Sequence, residues 1–137
     1  MFLTEAQDLF PELKALKDDL HRHPEVSFQE RRTTARIKEL LAPLGLALID
    51  LGMETGVTAL LRGGRPGKTV ALRADIDALE QQEPAGKAVV SQIPNRMHAC
   101  GHDFHTAALY GAARLLSAHR TELAGDVVFL FQPAEEF

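Results

Sequence analysis

Cys100, His102, Glu135 and Glu136 are the residues best equipped for chemistry in this chain, with Asp75, Asp77, His98 and His105 as candidate supports. Thiolate and imidazole suit zinc, and carboxylates also accept manganese. Cys100 and His102 stand two apart and can reach one cation together. Glu135 and Glu136 are adjacent, so one carboxylate can hold a metal while its neighbour serves water as general base. That division of labour belongs to a hydrolase. Two other readings compete for Cys100: a buried packing thiol, and a nucleophile served by His102 or His105. A tight loop seldom places a base correctly for a residue two positions away, and the nucleophile reading leaves the acidic pair unexplained.

The elements around these residues must bring them together. The stretch 69–74 reads as a strand, 104–119 as a helix with Asp103 as its N-cap, and 126–131 as a central strand buried on both faces. Strand, helix and strand in this order form a βαβ unit with parallel strands and a right-handed crossover. The carboxyl ends of both strands and the amino end of the helix then share one edge of the sheet. Asp75 and Asp77, the run Cys100 to Asp103, and the Glu135–Glu136 pair all fall there. The helix N-terminus is expected to lower the Cys100 pKa and favour its thiolate.

Upstream, Leu9, Leu13, Leu16 and Leu20 recur at helical spacing after a Thr4/Gln7 capping signal, predicting a helix over 5–22 that Pro24 ends. Ser27 and Glu30 repeat the capping signal before a second helix carrying Ala35, Ile37, Leu40 and Leu41. Strands are expected at 46–50 and 57–62, the latter joined to 69–74 as a hairpin through Gly63–Gly67. Residues 80–97 read as a long loop with at most one short strand. The class is α/β, with a mixed, largely parallel sheet and flanking helices. His21 and His23 are expected to satisfy helix-end carbonyls, and His119 to be an ordinary helix residue. His98, His105, Asp75 and Asp77 either orient ligands by hydrogen bonding from behind or serve structure alone.

Composition bounds the remainder. With 137 residues, 45% hydrophobic and 25% charged, the chain suffices for one domain and a real core. A net charge of −4 without a basic run argues against nucleic-acid or anionic-membrane partners and leaves a small substrate open. One cysteine excludes an internal disulfide. Glu5 and Asp8 stand where a secretory signal would need basic and apolar residues, so the expected location is cytoplasmic.

Four segments carry a family resemblance: Leu20–Glu25, Leu72–Leu79, Met97–Ala107 and Phe131–Glu136. In this order and spacing the chain resembles the N-terminal part of the dinuclear metal amidohydrolases that act on N-acyl amino acids, hippurate and indoleacetyl-amino acids. The resemblance implies a partial zinc-peptidase-like catalytic domain. It implies that Cys100 bridges two divalent metals, that His102 and Glu136 are ligands, and that Glu135 is the base for amide hydrolysis. Zinc or manganese is implied, with cobalt or nickel as alternatives. Glu80 departs from the proline usual in relatives. Family members are roughly three times this length, with two further histidine ligands and a lid-like dimerisation domain downstream. Residues 1–137 are therefore expected to be the N-terminal part of the catalytic domain, inactive alone and prone to self-association. The competing expectation is a non-catalytic metal-binding fragment or module.

Overall fold

The leucine repeat of the first segment forms helix α1, Phe2–Arg22, in the computed structural model, which describes residues 2–137. Thr4 and Gln7 lie inside this helix, so their spacing caps nothing. Helix α2, Arg31–Leu41, corrects the second capping signal. Its first-turn N–H groups, at Arg32 and Thr33, donate to the Glu25 carboxylate at 3.0 and 2.6 Å. Ser27 and Glu30 are free for other work, because a carboxylate from further upstream satisfies the open helix end.

Strands β1 (Ala47–Ile49), β2 (Val57–Leu61), β3 (Val70–Asp75) and β4 (Val127–Gln132) form one sheet in the order β1-β2-β4-β3, with helix α3 (His102–Ala118) between β3 and β4 in sequence. The expected hairpin between β2 and β3 is absent: β4 lies between them, antiparallel to β2 and parallel to β3. The glycines of 63–67 serve close backbone approach instead of a turn. A Cβ on Gly63 would stand 1.9 Å from the Gly125 carbonyl oxygen. Arg65 N–H donates to Leu123 O at 3.0 Å and Gly125 N–H to Arg65 O at 2.9 Å, tying this crossover to the entry of β4. The class and the mixed sheet with flanking helices stand, but the sheet is not largely parallel: β3 and β4 are its one parallel strand pair among the described residues, and the other two pairs are antiparallel.

Val127, Phe129 and Phe131 of β4 face the core shared with Leu16, Leu20, Ile37, Leu41, Tyr110 and Ala113. Val128, Leu130 and Gln132 on the opposite face are half-buried. Strand β4 is interior to the sheet, as expected, but the helices cover its first face alone among the described residues. The loop 80–97 contains no strand; its ends are pinned by an isolated bridge between Leu79 and Met97. No helix of the described residues is long and apolar enough to cross a membrane.

Because β3 and β4 run parallel, their carboxyl ends and the start of α3 meet at one edge. Gly101, in the left-handed region at φ 79°, turns the chain into α3 and occupies the N-cap position expected for Asp103.

Candidate metal centre

His102 is the first residue of α3 and is buried. Its Nδ1 lies 2.9 Å from the Asp77 carbonyl oxygen and 3.2 Å from Asp77 Oδ1. A carbonyl only accepts, so Nδ1 carries the proton and donates, leaving Nε2 as the coordinating atom. Nε2 faces Asp75 Oδ2 at 3.4 Å, Glu136 Oε1 at 3.6 Å and Glu135 Oε2 at 3.7 Å. These separations are too long for good hydrogen bonds and leave room between the donors.

The acids reach this point from two strand ends. Asp75 closes β3 and accepts from His105 Nδ1 at 2.6 Å, while the His105 ring stacks on that of His102 at a centroid distance of 5.6 Å. Asp77 Oδ2 accepts from Ser27 Oγ at 2.8 Å and Glu136 N–H at 2.9 Å. Burial pushes the Asp77 carboxyl up, but the Glu136 N–H and Ser27 hydroxyl outweigh it and hold the group below the usual carboxylate range. After β4, Ala134 adopts φ 52°, a left-handed conformation costing about 1–2 kcal/mol for a residue with a Cβ. Glu135 and Glu136 follow at once.

Two groupings of donors result, Asp75–His102–His105 and His102–Glu135–Glu136; within each, one donor atom per residue lies within 4.8 Å of the others. Among the described residues Arg73 offsets the acids, at 3.4 Å from Asp75 and 4.0 Å from Glu135. One guanidinium against the Asp75, Asp77, Glu135 and Glu136 carboxylates leaves negative charge in excess. Nitrogen and oxygen donors converging with unbalanced charge fit a divalent cation.

Cys100 is exposed, which removes the packing-thiol reading. It belongs to neither grouping and joins the site through Glu136. A hydrogen bond to the Glu136 carboxylate, reinforced by the charges of Glu136, Glu135 and Asp77, pushes the thiol up to about 11. The expected lowering by the helix N-terminus is thereby corrected: full negative charges outweigh the partial positive charge of the helix end. A cation would reverse that balance. The nucleophile reading loses support too, since the group facing the thiol is Glu136 and not His102 or His105.

Sequence reasoning missed a neighbouring network. His23 does bond a helix carbonyl, Asp19 O at 2.8 Å, but His21 is buried between Asp103 Oδ2 at 2.7 Å and Glu83 Oε1 at 2.9 Å. Asp103 therefore anchors α3 to α1 from within the first turn, where its Oδ1 also accepts the Phe104 N–H at 2.9 Å. Burial pushes the Glu83 carboxyl up, yet His21, the Ser91 N–H and Lys87 together hold it at about 2. Helical periodicity marks none of these contacts, because their partners lie on a loop and on a second helix. His98 is buried, both its ring nitrogens lack a partner among the described residues, and burial pulls its pKa down to about 4. His119 closes α3 and bonds Glu5 at 2.8 Å.

Residues 71–137 match the sequence family described as Peptidase family M20/M25/M40. The chain is 48% identical over 122 residues to N-acetylcysteine deacetylase of Bacillus subtilis, spanning 88% of this chain and 32% of that protein. It is 46% identical to N-acyl-L-amino acid amidohydrolase of Geobacillus stearothermophilus, spanning 89% of this chain and 33% of the relative. A crystal structure from Bacillus subtilis, described as a dinuclear metal-binding peptidase of the M20 family, superposes with a TM-score of 0.90 at 46% identity, covering 95% of this chain and 36% of that one. The chain thus spans about a third of the length of the curated relatives it matches.

Proposed function

This chain belongs to peptidase family M20/M25/M40, and from that premise we propose that residues 1–137 form the N-terminal part of the catalytic domain of a metal-dependent amidohydrolase. Its substrate is an N-acyl amino acid. His102, Glu136 and Cys100 would hold two divalent cations, zinc or manganese, with cobalt or nickel as substitutes. When bound, such cations supply Lewis acidity, acidifying water and polarising an amide carbonyl.

The remaining work falls to side chains of this chain. Glu135 Oε2 takes a proton from the attacking water and returns it to the departing amine nitrogen. Arg73, 4.0 Å away, steadies that carboxylate. Asp77 fixes the tautomer and tilt of His102 through its carbonyl oxygen and its carboxylate. Asp75 and His105 extend the acidic rim. The observation that carries the reading is His102, its Nδ1 tied back to Asp77 and its Nε2 aimed among Asp75, Glu135 and Glu136. The relatives named as N-acetylcysteine deacetylase and N-acyl-L-amino acid amidohydrolase support the substrate class. A net charge of −4 without a basic tract fits a small-molecule substrate and cytoplasmic placement better than a nucleic-acid or membrane partner.

Metal analysis and acyl-amino-acid hydrolysis of the complete gene product test this reading. Glu135→Gln should retain metal and lose about 10²–10⁴-fold in turnover, whereas His102→Ala should lose metal as well. Unchanged turnover in Glu135→Gln would remove the assigned base. The same assay on the 137-residue chain addresses the competing module reading: cation binding without turnover is expected.

A further inference from the structure

We propose that Glu30 is a positioning residue for the acidic pair: its buried carboxylate holds the left-handed turn at Ala134 and so sets where Glu135 and Glu136 stand. The inference rests on the reading of that pair as base and ligand.

Glu30 occupies the N-cap position of α2 but makes no side-chain cap there. Glu25 takes that role. Glu30 is 0% exposed; its Oε1 accepts the Ala134 N–H at 2.7 Å across 104 residues of sequence, and its Oε2 has no partner among the described residues. Withdrawing a carboxyl group from water for one hydrogen bond is costly, and α2 gains nothing from it. The benefit lies at the other end of the bond. Ala134, at φ 52°, stands in a backbone conformation that persists when its surroundings over-determine it.

The Glu30 main chain is itself held, since Thr34 N–H donates to Glu30 O at 3.0 Å and Thr34 Oγ1 accepts the Gly56 N–H at 2.8 Å. On the far side of the turn, Asp77 Oδ2 accepts the Glu136 N–H at 2.9 Å. Two buried carboxylates from separate parts of the chain therefore grip the backbone on either side of Glu135 through main-chain N–H groups, without engaging either glutamate side chain. Asp77 also seats His102, so the Glu30–Ala134 bond indexes the acidic pair to the imidazole.

The test compares Glu30→Gln, which keeps an acceptor oxygen, with Glu30→Met, which keeps the approximate size and removes it. Cobalt(II) titration of the chain, read by its visible and thiolate charge-transfer bands, gives affinity; amide hydrogen exchange reads the turn. Glu30→Gln should bind within about threefold of wild type and Glu30→Met about 10–100-fold more weakly, the range for residues supporting a ligand from behind. Ala134 amide protection should persist in the first and vanish in the second. Equal binding by wild type and Glu30→Met, or equal weakening in both variants, would overturn the proposal. Should Glu30→Met not fold, the wild type decides alone: a protected Ala134 amide supports the bond, and exchange at the free-peptide rate overturns it. Should wild type bind no cobalt, the metal reading fails, and Ala134 exchange across the three proteins still judges the turn. Protection lost only in Glu30→Met supports it, and identical protection overturns it.

Discussion

Asp77 meets His102 twice, through its carbonyl oxygen at 2.9 Å from Nδ1 and through Oδ1 at 3.2 Å. The main-chain contact survives any substitution at 77, but the carboxylate contact does not. Asp77→Ala should therefore fold, keep the His102 tautomer, and weaken zinc binding about 10–100-fold, measured by calorimetry. Zinc affinity equal to wild type would show that the carboxylate plays no part in seating the imidazole.

Cys100 should be a sluggish thiol in the cation-free chain, because Glu136 accepts its hydrogen bond and the surrounding acids push it up to about 11. Alkylation by iodoacetamide at neutral pH should run slower than for free cysteine. Glu136→Gln should speed it by removing the charge, and zinc should block it by taking the sulfur. An alkylation midpoint below the ordinary thiol value would restore the helix N-terminus as the dominant influence.

Glu83 ties the loop 80–97 to His21, and its folded pKa of about 2 lies below the ordinary 4.5. A carboxyl group with a depressed folded pKa contributes stability that is complete above about 4.5 and is lost as pH falls toward 2. Glu83→Gln should cost about 1–3 kcal/mol at neutral pH. The gap between the two melting curves should close across that acidic window. A gap independent of pH would mean that shape rather than charge holds the contact.

The sheet face opposite the helices carries half-buried Val128 and Leu130, with exposed Ile49, Leu51 and Met53 nearby. Contiguous apolar surface of this kind favours association. Sedimentation of the 137-residue chain should show concentration-dependent self-association that Leu130→Lys reduces. A monomer at every concentration would contradict this.

Much of the site is legible in the amino-acid sequence. Helical spacing locates the three α-helices of the described residues within a few positions, and a strand–helix–strand order forces both strand ends and the helix start to one edge. Asp75, Asp77, His102, Glu135 and Glu136 consequently meet there. Residue type then limited the chemistry, since imidazole and paired carboxylates at one edge suit a cation.

Contacts between distant segments were beyond such reading. Local pattern reports which face of an element is apolar, but strand order depends on which backbones can approach; glycine backbone at 63–67 lying against 121–125 routed β3 away from β2 and let β4 enter between them. Likewise, capping spacing nominated Ser27 and Glu30, yet Glu25 reached the open helix end first and left them to Asp77 and Ala134. The thiol of Cys100 took its character from the summed charges around it, which exist only once the chain has closed on itself. Sequence alone determined the chemistry on offer and the edge at which it gathers; tertiary packing decided which donor faces which acceptor, because those choices turn on separations in space that no local periodicity encodes.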